Sequence, residues 1–253
     1  MPALGQMRIM MWEGACLWMA QADRGFDQPG WHAHHAIQLT FLLRGELEMR
    51  TEAEVLRASA IAVNADVRHS LAARGAAAVL FLEPESSIGA ALQRKLFAER
   101  DFVVVSSLPV EAELSALASA MDAKASREDL ALLGKALLSA ISGEGESVIE
   151  KDARILKVIE AVITRLDGPM SIEEAGRGIN LSASRLRHLF AEQTGLPFKT
   201  YLLWRRMMQA VELMAEGASP TEAAHGAGFS DSAHFARTFR RTFGMSSTTL
   251  KVV

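Results

Sequence analysis

A pattern that occurs twice in roughly the last hundred residues constrains the fold more than any other feature of the chain. Its two copies read SIEEAGRG-INL-SASRLRHLFAEQTG and SPTEAAHG-AGF-SDSAHFARTFRRTFG. In each copy a short helical segment, a tight turn and a longer basic helix follow one another, which is the order of a helix-turn-helix. Ser171 and Ser219 are each followed three residues later by glutamate, which predicts a capping box at the start of each short helix.

The longer helices of both copies have one apolar and one polar face. Phe235, Phe239 and Phe243 recur every four residues, which predicts a buried stripe with the arginines elsewhere on the helix. Leu186 and Phe190 form the matching stripe in the first copy. Together with cap and glycine signals, the periodicity predicts helices near residues 150–166, 171–178, 182–193, 198–216, 219–226 and 230–243.

The first half has a different character. Residues 8 to about 83 contain short apolar runs separated by glycine or polar breaks, which are typical of strands. Residues 86–141 have apolar positions three and four apart, which favours helices. The polar stretch SGEGES at 142–147 is interpreted as a linker. We therefore expect an α+β protein with two domains, at residues 1–145 and 150–253.

Composition excludes several classes of protein. A hydrophobic content of 49% with 23% charged residues indicates a globular chain. The single cysteine, Cys16, forms no internal disulfide, which favours a reducing compartment. No apolar run approaches the ~18 residues of a membrane span, and the N-terminus does not have the pattern of a signal peptide. A cytoplasmic protein without membrane contact is expected.

Charge is distributed unevenly between the two halves. The net charge of −3 alone argues against a polyanionic partner, but residues 151–253 carry 14 basic against 10 acidic side chains. Residues 1–150 carry 13 basic against 20 acidic side chains. This asymmetry indicates that only the C-terminal half meets nucleic acid.

The C-terminal pattern resembles the DNA-binding domain of the AraC/XylS family of bacterial transcription regulators over about residues 152–250. GFSDSAHFARTFRRTFGMS has the family's Gly-Phe turn, F-x-R-x-F core and closing Phe-Gly, whereas Ser247 stands where proline is usual. The resemblance implies a protein with two helix-turn-helix motifs that binds double-stranded DNA. It also implies a homodimer formed through the helices of 86–141, nucleoid association and, for an activator, contact with RNA polymerase.

The resemblance also places DNA-binding residues. The base-reading positions carry over to Ser184, Arg187 and His188 in the first copy, and to Ser232, Ala233, His234 and Arg237 in the second. Arg185 lies on the same outer face, the helix starts at Ser182 and Ser230 should approach phosphates, and the backbone candidates are Lys199, Arg205, Arg206, Arg240 and Arg241. A single arginine is more often a solvated or salt-bridged side chain, and Arg206 in particular could pair internally.

Three of the seven histidines lie in GWHAHHAIQLTFLLRG. Interpreted as one strand, this stretch places His32, His34, Gln38 and Thr40 on a polar face, and His35 on the opposite face, at the surface or an edge. The stretch resembles a cupin barrel, whose motifs correspond here to Gly30, His32, His34, Gln38, Gly45 and His69. Gln38 replaces the usual glutamate, and the second motif lacks its usual Pro-x-Gly.

The predicted pocket has two interpretations. Trp31, His32, His34, Gln38, Thr40 and His69 could line a metal-free effector pocket, or His32, His34, Gln38 and His69 could bind a divalent transition metal, since imidazole is a ligand for such ions. We therefore expect a ligand- or metal-responsive transcription regulator rather than an enzyme. The alternatives are a metal-dependent cupin enzyme fused to a DNA-binding domain, and an adaptor whose barrel binds another protein.

Overall fold

The structure, a computed structural model, describes residues 6–12, 14–143, 152–166 and 168–249. It contains two compact units, one made of Met1–Ser147 with Phe239–Val253 and the other of Val148–Thr238. Most of the predicted linker, including the boundary between residues 145 and 150, lies outside the described residues.

Among the described residues of the first unit, seven antiparallel strands form one sheet. They are β1 (Gln6–Trp12), β2 (Ala15–His32), β3 (Ile37–Arg50), β4 (Val55–Arg57), β5 (Ala60–Val63), β6 (His69–Leu82) and β7 (Phe102–Val104). Their order is β1-β2-β6-β3-β5-β7, and β4 pairs with β3. Over the described strands the sheet does not close on itself, so the cupin-like barrel expected from the sequence is not confirmed.

The register of the central strands fixes which side chains meet. At one end of the β2–β6 pair, His32 lies opposite His69. Farther along, β3 and β6 bring Gly45 opposite Gly75, both at positive φ. A methyl group added at Gly45 would lie 1.9 Å from the carbonyl oxygen of Arg74, so only glycine allows the two backbones to approach here.

Helices also cover the sheet within the described part of this unit. They are α1 (Ser87–Leu92), continued by one π-helical turn, α2 (Glu111–Asp122) and α3 (Arg127–Ser142). Leu117 and Leu137 of α2 and α3 are fully buried, as are Leu39 and Leu80 of the sheet, and they belong to one core. The predicted order of strands followed by helices holds except for β7, which lies between α1 and α2 in the stretch expected to be helical.

The second unit is helical. It contains α4 (Ala153–Thr164), α5 (Ile172–Ala175), α6 (Ala183–Thr194), α7 (Phe198–Ala215) and α8 (Pro220–Gly226), and the division between the units falls within α9 (Ser232–Phe243). Phe190 of α6 is fully buried, and its ring centre lies 5.2 Å from that of Tyr201 in α7. Among the described residues, no helix is long and apolar enough to cross a membrane.

The helix starts follow the sequence signals with one exception. Both capping boxes form, at Ser171 with Glu174 and at Ser219 with Glu222. Ser182 caps α6 by accepting a hydrogen bond from the backbone N–H of Arg185. The expected serine start of the last helix at Ser230 is wrong, because α9 begins two residues later.

An aspartate takes the capping position of α9 instead. The Asp231 carboxylate accepts a hydrogen bond from the backbone N–H of His234 at 2.6 Å. A carboxylate fulfils the capping role at least as well as a hydroxyl, and its charge complements the helix dipole.

Candidate functional sites

The exposed start of α6 forms the first candidate site. Ser182, Ser184, Arg185, Arg187 and His188 are all exposed, while Leu186 and Phe190 face the core, as their spacing predicts. The guanidinium of Arg187 donates a short hydrogen bond to the Glu173 carboxylate of α5. The short helix of the pair therefore holds this arginine in place without burying it.

The corresponding part of α9 is less basic at its start. Ser230, Asp231, Ser232 and Ala233 are exposed, and His234 is half-buried with its ring centre 5.5 Å from that of Phe229. The hydrogen bond from the His234 backbone lowers the pKa of Asp231, so this carboxylate is ionised at neutral pH. Three exposed arginines follow farther along the helix, at Arg237, Arg240 and Arg241.

The basic residues of α7 differ from one another. Lys199 is exposed at the start of the helix, as a backbone contact requires. Arg206 instead donates hydrogen bonds to the carbonyl oxygens of Leu166, at 3.1 Å, and Gly168, at 2.5 Å. Arg206 therefore pairs internally, which is one of the two alternatives stated for it in the sequence analysis. Its neighbour Arg205 is half-buried.

A buried cluster of three histidines is the second candidate site. His32, His34 and His69 each offer a ring nitrogen within 4.8 Å of those of the other two. They come from the end of β2, the following loop and the start of β6. The structure brings together the three histidines that the sequence analysis grouped. The interpretation of His32, His34 and Gln38 as one strand is wrong, because β2 ends at His32 and β3 begins at Ile37.

Backbone carbonyls orient all three imidazoles in the same way. The Nδ1 atoms of His32, His34 and His69 lie 2.9, 3.1 and 2.9 Å from the carbonyl oxygens of Gly30, Ala36 and Val67. Since a carbonyl only accepts, each Nδ1 carries the proton and each Nε2 of a neutral imidazole keeps its lone pair.

Burial keeps these imidazoles neutral. It lowers the pKa of His32 to about 4, with a further contribution from His34. It also lowers the pKa values of His34 and His69, the latter well below its ordinary value. Neutral imidazoles with free Nε2 lone pairs are the form that binds metal ions.

Gln38 completes the cluster. Its Oε1 lies 2.9 Å from Nε2 of His34 and 3.3 Å from Nε2 of His69, and its amide nitrogen donates to Thr40 at 2.9 Å. With each Nδ1 protonated, this arrangement directs a carbonyl oxygen at lone pairs, which a cation at the centre would satisfy. A half-turn of the amide would instead direct its N–H groups at the imidazoles and satisfy them without a metal.

Two other predictions around the cluster have different outcomes. Trp31 is 41% exposed and lies against the guanidinium of Arg68, 5.5 Å from its ring centre, while the histidines are buried. The surface position expected for His35 is wrong, because this residue is buried.

Two carboxylates hold His35 in its buried position. Its Nδ1 lies 2.8 Å from Asp66, and its Nε2 lies 3.4 Å from Glu85. Burial alone would lower the pKa of His35, but the two carboxylates outweigh this effect and raise it to about 9. The sequence pattern did not signal this group, because its three members are distant along the chain.

Comparison with known proteins shows which domain the C-terminal region is similar to. Residues 176–251 match the model of a helix-turn-helix domain. The transcriptional activator RhaS of Escherichia coli is 43% identical over 68 residues, which cover 26% of this chain and 24% of RhaS. The Msm operon regulatory protein of Streptococcus mutans is 29% identical over 102 residues, 40% of this chain and 37% of that protein. The matches thus span well under half of these relatives.

A solved structure matches almost the whole chain. ToxT from Vibrio cholerae superposes with a TM-score of 0.55 over 94% of this chain and 98% of that one, at 13% identity. At this identity the likeness describes the fold alone.

The C-terminal region of the chain is thus similar to the helix-turn-helix domains of transcription regulators. Over the C-terminal region, this likeness agrees with the resemblance to the AraC/XylS family seen in the sequence. The two sequence relatives are named as a transcriptional activator and an operon regulatory protein.

Proposed function

We propose that the chain is a ligand-responsive transcription regulator that binds double-stranded DNA through both helix pairs, α5–α6 and α8–α9, acting as two helix-turn-helix motifs. The exposed basic face of α6, inside the matched helix-turn-helix domain, carries the proposal. The N-terminal part of the second helix of such a motif enters the major groove. Ser184, Arg187 and His188 would face the bases there.

The proposed roles of the remaining residues follow from their exposure. In α9, Ser232, His234 and Arg237 would face the bases, and Arg240 and Arg241 would contact phosphates. Lys199, Arg185, the helix start at Ser182 and the hydroxyl of Ser230, which precedes α9, would add phosphate contacts. Arg206 would support the domain from within, through the two carbonyls that it binds.

Two arginine variants test this assignment on a duplex selected by the protein from a random pool. Arg187→Ala should cost about 1–3 kcal/mol on the selected duplex and relax the preference at one base pair. Arg241→Ala should weaken selected and random DNA equally and flatten the dependence of affinity on salt.

A conservative variant separates base reading from charge. Arg187→Lys retains the charge but loses bidentate pairing with guanine, so it should relax specificity like Arg187→Ala and retain the salt dependence of the unmodified protein. Equal losses on selected and random DNA for every variant would contradict the assignment.

The histidine cluster supports a sensory role for the first unit. We propose that His32, His34 and His69, with the amide oxygen of Gln38, hold a divalent transition metal as the effector. Three converging neutral imidazoles and one oxygen form a donor set that such ions accept. A second candidate is a polar organic effector in the pocket of Trp31, His32, His34, Gln38, Thr40 and His69, because the rotated amide of Gln38 satisfies the imidazoles without metal.

Metal analysis decides between these candidates. Elemental mass spectrometry of untagged protein, supplied with divalent ions and desalted, should find about one equivalent of metal, lost in the His32→Ala/His34→Ala double variant. No metal in either protein would exclude the metal effector. A thermal-shift screen of polar small molecules would then test the second candidate.

Three further proposals concern the whole protein. The strands would form a cupin-like sensor, and one solved structure with this fold, of ToxT, is described as bound to an unsaturated fatty acid. Two chains would associate through the helices of residues 86–141, where Leu132 of α3 is 64% exposed. An activator of this kind would work in the bacterial cytoplasm, on the nucleoid, and would contact RNA polymerase.

A further inference from the structure

The segment that ends α9 packs against the sheet within the first unit. Phe243 is buried, and its ring centre lies 5.0 Å from that of Trp18 and 6.2 Å from that of Phe81. Phe81 in turn lies edge-on to His34, with 5.1 Å between ring centres. The last aromatic residue of α9 is therefore one side chain away from the histidine cluster.

Gly244, the next residue, lies directly against His32. A methyl group added at Gly244 would be 2.6 Å from Nδ1 of His32 and 2.7 Å from the carbonyl oxygen of Gly30. Those two atoms form the hydrogen bond that orients the His32 imidazole. Gly244 thus lies over the hydrogen bond between His32 and Gly30, which orients Nε2 of His32 toward the other histidines.

The contact is equally close from the other side. A methyl group added at Gly30 would lie 2.8 Å from the carbonyl oxygen of Gly244. Two glycines therefore face each other, and any side chain at either position would push the segment away from His32.

We propose that packing of the segment Phe243–Gly244 against the sheet and His32, and metal binding at the histidines, strengthen each other. This proposal rests on the metal site proposed above. The docked segment holds His32 in the orientation that binds metal. By thermodynamic linkage, metal binding strengthens the docking by the same factor. Because Phe243 is the last residue of α9, metal bound at the histidines would stabilise the packing of the C-terminal end of α9, a helix that we propose binds DNA.

A pair of glycine variants tests the coupling by Zn²⁺ titration of the full chain. Gly244 and Gly178 both have positive φ, at 71° and 85°, so alanine strains the backbone at both. A methyl group at Gly178 meets nothing within 4 Å, whereas at Gly244 it meets His32. Gly244→Ala should weaken Zn²⁺ binding about 10-fold, the effect typical of losing the support of a ligand. Gly178→Ala should bind Zn²⁺ as the unmodified protein does.

Gly30→Ala provides a second variant without positive-φ strain and should also weaken Zn²⁺ binding. Hydrogen exchange gives the reciprocal measurement: Zn²⁺ should slow exchange at residues 243–248 in the unmodified protein and leave it unchanged in His32→Ala.

Each outcome has a distinct meaning. If the unmodified protein binds no Zn²⁺, both the metal proposal and the coupling are wrong. If it binds Zn²⁺ and Gly244→Ala and Gly30→Ala bind it equally well, the coupling alone is wrong.

Discussion

In the pair α5–α6, the long helix begins with a neutral serine cap and presents two exposed arginines and a histidine within its first two turns. In the pair α8–α9, the long helix begins with an ionised aspartate, and the small residues Ala233 and Ala236 occupy part of its exposed face. Its C-terminal end belongs to the first unit, within which Phe243 packs against Trp18. A duplicated sequence pattern has thus produced two long helices that differ in the charge at their exposed starts and in the surroundings of their ends.

Removal of one phenylalanine from each long helix should give the largest effects, in different parts of the molecule. Phe190→Ala should destabilise the helical unit by about 3–5 kcal/mol and speed amide exchange in α4, α6 and α7, because its ring is fully buried among them. Phe243→Ala should speed exchange in β2 and β6 near Trp18 and Phe81. Chemical denaturation and peptide-resolved hydrogen exchange provide the measurements.

Leu189, half-buried on α6, supplies a control within the same helix. Leu189→Ala should cost less than Phe190→Ala, because its side chain is already in contact with solvent. If Phe243→Ala leaves exchange in β2 and β6 unchanged, the end of α9 does not stabilise these strands in solution and the contrast between the two helices is wrong.

An exchange of the two capping residues should give a smaller effect. Asp231→Ser removes a negative charge from the start of α9 and should raise affinity for any duplex a few-fold at low salt, since that charge repels phosphates. Ser182→Asp should lower affinity by a similar factor. Both replacements retain a side chain that caps the helix, so the fold is maintained.

Measuring DNA affinity over a series of salt concentrations distinguishes an effect of charge from an effect of altered helix structure. Both changes should diminish as salt rises, because exposed charges are screened. An effect of Asp231→Ser that does not depend on salt would show that α9 does not approach the phosphates.

Sequence reasoning succeeded where the determinants are local. The capping boxes at Ser171 and Ser219 and the aromatic stripe of α9 depend on residues three or four apart, which a helix brings together by itself. Sequence reasoning failed at Ser230. Serine and aspartate both cap helices, and the sequence Ser230-Asp231 does not show which of the two residues is the cap. Nor could the sequence show that the sheet of the described strands has open edges. An apolar strand pattern predicts strands but not whether their sheet closes into a barrel.

By itself, the sequence determined the helical C-terminal half, its two similar helix pairs and the side of each helix that faces the core. Only the tertiary structure decided which distant residues meet. His69 joins His32 because β2 and β6 pair in one register. Asp66 and Glu85 enclose His35 because separate loops converge on it. Gly244 covers His32 because the chain returns to β2 after α9. Helix periodicity arises from hydrogen bonds between near neighbours, whereas these contacts depend on strand register and on packing of the whole chain.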